Sequence, residues 1–253
     1  MKNQLSRREV LKGGSLLAAA STLGFSGMFG LKGIAAAAAG DGDDVATIVN
    51  VAATAETFAV THYYRALNEK ALKLTDSEKI YFMAALESEY DHLLFLQSNG
   101  GKSLAAKFYF PDGTFKDSKT LGAVTSVAET VFVGAYIAAT HRFAELGNAE
   151  LAATAAQVAV IEGQHLLFVR QLAGEKVPND LALAAPIFYN VSEAVPVVQP
   201  LLDGKKAAAG PLAIPFETDA YDYPGDDKVK ALIGKGLLDA EVLGVKVAPF
   251  AKK

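Results

Sequence analysis

The chain has 253 residues, of which 51% are hydrophobic and 21% charged, and its formal net charge is −4. This composition suits a folded globular protein with a sizeable core. Because the chain contains no cysteine and four histidines, disulfides and thiolate metal sites are excluded, and any metal would need histidine and carboxylate ligands.

The N-terminal segment has the features of an export signal. Residues 6–12 (SRREVLK) are close to the twin-arginine pattern, and a weakly hydrophobic stretch rich in Gly and Ala follows. The run from Ala35 to Ala39 offers several A-x-A cleavage sites. We predict that residues 1–39 are a twin-arginine signal peptide and that the protein is exported to the periplasm or the extracellular space. The alternative is an uncleaved N-terminal anchor.

The rest of the chain is acidic. Residues 1–40 hold five of the 24 Lys and Arg residues and one of the 28 Asp and Glu residues, which leaves 19 basic and 27 acidic residues and a net charge of −8. We therefore expect no nucleic-acid partner. The glycines and Lys32 make the N-terminal stretch a poor membrane anchor. We expect no stable membrane span in the protein that remains after signal cleavage.

Four long segments without internal proline have helical character. The first starts in an Asp-rich stretch, and the second starts at residues 75–78 (TDSE), which have the form of a capping box. Glycines follow the second, third and fourth segments. The predicted helices span about residues 43–70, 75–98, 119–146 and 148–173.

The links between these helices differ in length. The first and last links are short, so each joins an antiparallel hairpin. The central link has about 20 residues and contains FYFPDG at 108–113. We predict an all-α fold with a four-helix bundle over residues 40–175, built from two hairpins and a long crossover. Prolines recur after residue 176, so residues 176–253 are expected to form an irregular extension on the bundle, with a short helix near 227–238.

The two predicted hairpins carry an internal repeat with an offset of 73 residues. AET at 55–57 recurs as AET at 128–130, and EYDHLLF at 89–95 recurs as EGQHLLF at 162–168. Each hairpin therefore has one glutamate on its first helix and one Glu-x-x-His on its second. Residues three positions apart share a helix face, so the two halves would point their acidic and imidazole groups at one place.

This set of groups is the one that bundle proteins use for two iron or two manganese ions. Four carboxylates in an apolar interior would repel one another, and two divalent cations would neutralise them. A bundle that has lost its metal is the competing interpretation. The predicted metal ligands are Glu56, Glu89, His92, Glu129, Glu162 and His165.

Tyr63 and Tyr136 repeat with the same offset, each seven residues after its glutamate and on nearly the same face. We predict that they are catalytic residues that hydrogen-bond a ligand or pass electrons. The alternative is core packing with a satisfied hydroxyl group. His62 and His141 have no partner in the repeat and are expected to be surface or structural residues.

On these motifs the chain resembles the ferritin-like superfamily over about residues 44–173, and it is most similar to exported ferritin-like domain proteins that include desiccation-related proteins. The resemblance implies that the six residues are metal ligands, with Glu89 and Glu162 as bridges. It does not explain His62 or the extension after residue 176. The superfamily includes ferroxidases, iron stores, peroxide-reducing rubrerythrins, manganese catalases and oxygenases, and the lack of a CxxC pair excludes a rubredoxin-type domain.

The leading hypothesis is an oxidoreductase with two divalent iron or manganese ions that acts on peroxide or oxygen, or a ferroxidase with iron as substrate. Two alternatives stay open: a non-catalytic metal-binding or storage protein, and a stress-protective or desiccation-protective structural protein. The sequence does not decide whether the protein is an enzyme, and a homo-oligomer is compatible with it.

Overall fold

The computed structural model describes residues 42–176, 178–179, 184, 186–205 and 218–234, so the predicted signal peptide lies outside the described residues. Four long helices form the body of the molecule, and their ends agree with the sequence prediction to within about two residues. They are α1 (Val45–Asn68), α2 (Asp76–Ser98), α3 (Ser118–Glu145) and α4 (Ala149–Leu172).

Each long helix is preceded by a residue whose side chain accepts a hydrogen bond from a backbone N–H of the first turn. These residues are Asp44, Thr75, Asp117 and Asn148. At Thr75 the predicted capping box is confirmed, because Glu78 N–H donates to Thr75 Oγ1 (3.3 Å) and Thr75 N–H donates to Glu78 Oε2 (2.7 Å). An N-terminal cap stabilises a helix by about 1 kcal/mol, so the sequence sets these four starts locally.

The four helices form two hairpins. α1 packs against α2, and α3 packs against α4. The link between α3 and α4 turns at Gly147, whose φ of +74° favours glycine. Near the other end of α3, a Cβ on Gly122 would lie 2.6 Å from Val169 O, so the two backbones touch there. The structure thus confirms the all-α bundle of two hairpins joined by a long crossover.

The crossover contains a strand that the sequence analysis did not predict. β1 (Lys107–Pro111) pairs antiparallel with β2 (Thr218–Asp222), which lies in the extension after residue 176. Phe108 and Phe110 of β1 are completely buried, and their rings lie 5.7 Å and 5.1 Å from the ring of Phe58 on α1. The crossover is therefore part of the core.

The described parts of this extension pack on the bundle. A 3-10 turn (Val191–Ala194) contacts α1 and α3, and the helix after it, α5 (Val195–Asp203), contacts β1. The last described helix, α6 (Asp226–Ile233), contacts α2. This helix starts within one residue of the predicted position, while residues 235–238 of the prediction lie outside the described part of the chain.

The helices α3 and α4 are long and apolar enough to cross a membrane by length and composition alone. Helices in the core of a protein share these properties. In this structure 61% of the most apolar window of α3 and 44% of that of α4 are buried inside the molecule. Their apolar character is therefore accounted for, to a large extent, by packing within the bundle.

Candidate metal centre

Six acidic and imidazole side chains converge in the middle of the bundle. Each glutamate is at most 1% exposed, although carboxylates are rarely buried without a partner. α1 and α3 supply one glutamate each, and α2 and α4 supply one Glu-x-x-His each. The six are the residues predicted from the repeat: Glu56, Glu89, His92, Glu129, Glu162 and His165.

The six residues form two overlapping groups. Within each group the potential ligand atoms all lie within 4.8 Å of one another. Glu89 and Glu162 belong to both groups, and each group has one further glutamate and one histidine. The first group is Glu56, Glu89, His92 and Glu162, and the second is Glu89, Glu129, Glu162 and His165. This arrangement could hold two cations with Glu89 and Glu162 between them.

His92 faces the first group through Nδ1. This atom lies 3.4 Å from Glu89 Oε2, 3.6 Å from Glu56 Oε2 and 3.7 Å from Glu162 Oε1. The side chain of His92 is 13% exposed. One face of this imidazole therefore meets the carboxylates, and part of the ring reaches solvent.

His165 faces the second group in the same way. Its Nδ1 lies 2.7 Å from Glu89 Oε1, 3.4 Å from Glu162 Oε2 and 4.0 Å from Glu129 Oε1. Its Nε2 lies 3.2 Å from Ser88 Oγ. The Ser88 hydroxyl donates to carbonyl groups of its own helix, so it accepts from Nε2–H. In the neutral ring this contact leaves the lone pair on Nδ1, which is the atom that faces the site.

Replacing Ser88 with alanine should weaken metal binding at the His165 side. Hydrogen-bond partners of a ligating histidine typically contribute 10–100-fold in metal affinity, so we expect a loss of about that size. Competition with a fluorescent chelator would measure it. Ser126→Ala is the matched control, because the Ser126 hydroxyl, like that of Ser88, donates to a carbonyl of its own helix, but in the contacts described it does not reach a histidine. Equal affinities for the two variants would contradict this role of Ser88.

Apart from the ion-pair contacts among themselves, the buried ligand atoms lack hydrogen-bond partners. They include both carboxylate oxygens of Glu89 and Glu162, one oxygen each of Glu56 and Glu129, and Nδ1 of both histidines. Buried polar atoms without partners are costly and rare. A set of carboxylate oxygens with one imidazole nitrogen per group is the donor chemistry of iron and manganese sites. The residues therefore fit metal cations that take oxygen and imidazole ligands.

Three carboxyl groups in the cluster hold protons more tightly than usual. Burial and the neighbouring carboxylate of Glu89 raise the pKa of Glu56 well above its usual range, and they also raise the pKa of Glu162. Burial and Glu162 raise the pKa of Glu129 well above its usual range. Without cations, protons would partly neutralise the repelling charges.

The other three groups form ion pairs. Burial alone would raise the pKa of Glu89, but the adjacent His165 holds it well below its usual range. Burial alone would lower the pKa of both histidines. Glu56 nevertheless raises the pKa of His92, and Glu89 raises that of His165, each well above the usual range. A cation that binds here must displace protons from these imidazoles as well.

Tyr63 and Tyr136 link the two hairpins reciprocally. Tyr63 on α1 donates its hydroxyl hydrogen bond to Glu129 Oε1 on α3 (2.5 Å), and Tyr136 on α3 donates to Glu56 Oε1 on α1. Burial and the contacted carboxylate raise the pKa of each phenol well above its usual range, so both remain donors. In both glutamates Oε2 stays without a hydrogen bond and is available to a cation.

The other two histidines do not join the cluster. His62 is buried against the rings of Phe58 and Phe110, and its Nε2–H donates to Thr125 Oγ1 (2.8 Å). Burial lowers the pKa of His62 to about 3, so it is neutral. The half-exposed His141 lies 3.7 Å from Glu145. The site residue that the sequence analysis missed is Ser88, which the repeat does not mark because Ile161 occupies the equivalent position.

Comparison with known proteins gives one match. The family model for the ferritin-like domain matches residues 44–175, about half of the chain. The matched range contains all four long helices and all six clustered residues. No curated protein and no solved structure matches the chain at a significant level.

Proposed function

The chain belongs to the ferritin-like domain family, and from that premise we propose that it is an oxidoreductase that binds two iron or manganese ions and acts on peroxide or oxygen. The observation that carries this proposal is the pair of overlapping ligand groups that share Glu89 and Glu162. Two divalent cations match the four glutamate charges, and the buried atoms without partners would gain ligand bonds.

When bound, the two metals would supply Lewis acidity and a store of redox equivalents. The side chains of the protein have separate tasks. Both histidines present Nδ1 to the site, and the bundle excludes bulk water from the four glutamates. Tyr63 and Tyr136 fix the terminal glutamates and hold a proton next to each of them. Such protons are within reach of a substrate oxygen that binds beside the carboxylates.

We also propose that the protein works outside the cytoplasm. The support is the twin-arginine pattern of residues 6–12 and the Ala-rich cleavage region that follows it. Twin-arginine export carries folded proteins, which suits a protein that acquires its metal in the cytoplasm.

The proposed function is tested by two measurements on protein purified without chelators. Elemental analysis should find about two iron or manganese ions per chain, and an electrode or absorbance assay should detect peroxide consumption. Metal without peroxide consumption, but with slow oxidation of added iron(II) in air, would indicate a ferroxidase or a store. A stable, metal-free protein that does not take up either metal would contradict the proposal and favour a structural role.

Replacing Tyr136 with phenylalanine should leave both metals bound and lower peroxide consumption. A positioned proton donor typically contributes on the order of 100-fold to a rate, and we expect a loss of that order. Metal analysis should give an unchanged metal content, and initial-rate measurements should give the lower rate of peroxide consumption. Tyr64→Phe is the control, since Tyr64 is the neighbour of Tyr63 on α1 and is only partly buried. An unchanged rate for Tyr136→Phe would favour simple core packing.

A further inference from the structure

The two tyrosines hold equivalent places in the repeat but have unequal surroundings. Tyr63 is completely buried, and its ring lies 5.6 Å from Phe82 and 5.8 Å from His165. Tyr136 is 6% exposed and forms part of the wall of a cavity of about 260 Å³. The cluster therefore has a closed flank at Tyr63 and a flank at Tyr136 that borders open space.

A difference between the two halves of the sequence explains this inequality. The residue before Tyr63 is His62, whose ring fills space by packing against Phe110 and Phe115. The residue before Tyr136 is Ala135, which lines the cavity. The small side chain at the second position leaves room beside the helix, whereas the imidazole at the first position occupies it.

The cavity is mostly apolar. It lies between α1, α3 and α5, and its walls extend from Val51 to Phe58 on α1 and from Val131 to Ala139 on α3. At about 1.5 Å per residue these stretches are roughly 10–12 Å long. Cavities lined by aliphatic and aromatic side chains remain dry and bind apolar molecules. Walls of this length and character suit an extended aliphatic chain.

The polar groups at the cavity favour a neutral end group on that chain. Gln199 lines the cavity, and its amide nitrogen donates to Asp203 Oδ2 (3.1 Å). The amide oxygen is buried without a partner and can accept a hydrogen bond. The cation that lines the cavity, Lys107, is already paired with Asp222 (3.5 Å). An occupant with a hydrogen-bond donor would satisfy Gln199 better than a carboxylate.

We propose that this cavity binds an aliphatic chain that carries a neutral hydroxyl-type end group, such as an alcohol or hydroperoxide, and that molecules of this class are the organic substrates of the metal centre. The first part rests on the cavity alone, and the second part rests on the proposed function. Tyr136 connects the two, because it both lines the cavity and donates to Glu56 in the metal cluster.

Calorimetric titration of the full-length protein with 1-decanol and with decanoate tests the binding. We expect 1-decanol to bind at least tenfold more tightly than decanoate. Ala135→Phe should fill the cavity and weaken 1-decanol binding at least tenfold. Ala123→Phe is the matched control, because Ala123 is an exposed alanine on the same helix, and it should bind 1-decanol like the wild type.

A second variant probes the polar end without filling the cavity. Gln199→Leu removes the acceptor, so 1-decanol should bind about 3–10-fold more weakly, which corresponds to one hydrogen bond, while decane binding should not fall. Failure of the wild type to bind 1-decanol, or equal binding by Ala135→Phe, would overturn the proposal. A dimer that Ala135→Phe converts to a monomer would also overturn it, since the cavity would then be a subunit interface.

Metal analysis of the same samples separates this proposal from the proposed function. Protein that binds 1-decanol but takes up no metal would support the cavity and contradict the metal centre. Protein that holds two metals but does not bind 1-decanol would support the metal centre and contradict the proposal for the cavity. In metal-loaded protein, saturation with 1-decanol should change the absorbance spectrum of the centre in the wild type and not in Ala135→Phe. An unchanged spectrum in saturated wild type would contradict the substrate assignment.

Discussion

Replacing Glu89 with glutamine should remove both metal ions from the protein. Glu89 belongs to both ligand groups, and both of its oxygens are buried and contact only other members of the cluster in the contacts described. Glutamine keeps the size of the side chain but loses the negative charge and one ligand oxygen. Each cation would then lose a ligand at the same time. Elemental analysis should find less than about a tenth of the wild-type metal, and peroxide consumption should disappear with it.

The matched control for this experiment is Glu56→Gln. Glu56 belongs to one ligand group only, so this variant should keep about one metal ion, held by the group that contains His165. The same substitution in the same bundle thus gives different stoichiometries at a shared and an unshared position. Two metals in Glu89→Gln, or none in Glu56→Gln, would contradict the assignment of Glu89 as a bridge.

Removing the metals should destabilise the protein, and the loss should grow as the pH rises from about 6 to 9. Metal at a hundredfold excess over its Kd stabilises a folded protein by about 2.7 kcal/mol. For a chain of this size that is a rise in Tm of roughly 5–10 °C. We expect metal to raise the Tm by about this much at neutral pH, by less at pH 6 and by more at pH 9.

The direction of this pH dependence follows from the cluster. For groups with a raised pKa, the stabilising contribution is present below the unfolded value, about 4.3 for Glu and 6.5 for His, and it is lost as the pH rises through the folded value. Glu89 has a lowered pKa, and its contribution is lost only in acid. Most groups of the cluster have a raised pKa, so the metal-free protein loses stability as the pH rises. These groups are Glu56, Glu129, Glu162, His92 and His165.

Metal binding reverses this trend because cations replace the bound protons. Thermal unfolding with EDTA and with excess manganese at three pH values would measure the difference. Glu89→Gln serves as control and should show no manganese-dependent change in Tm at any of these pH values. A metal effect that is larger at pH 6 than at pH 9 would contradict the charge balance described for the cluster.

The helices and the ligand set were predictable because both depend on local rules. Capping residues and glycines mark the helix ends, and three-residue spacing places each Glu and His on one face. The repeat then indicates that two such faces meet. Glu56 and Glu129 were found in this way, although neither is distinctive alone. That the six residues bind metal stays a prediction, supported by the geometry of the cluster.

The contacts between distant segments were not predictable. The spacing placed each tyrosine near the glutamate of its own helix, whereas Tyr63 contacts Glu129 and Tyr136 contacts Glu56 across the hairpins. Ser88 reaches His165 in the same manner. These choices depend on how the hairpins dock, which no local pattern encodes.

The sequence by itself determined the four helices, their pairing into hairpins and the helix faces that carry the six acidic and imidazole groups, because capping residues, short links and three-residue spacing all act locally. The tertiary structure alone decided that β1 pairs with β2 more than 100 residues later, and that the flank at Ala135 is open while the flank at His62 is filled. A strand needs its partner, and a cavity is the space that several packed elements leave between them, so neither exists until the whole chain has folded.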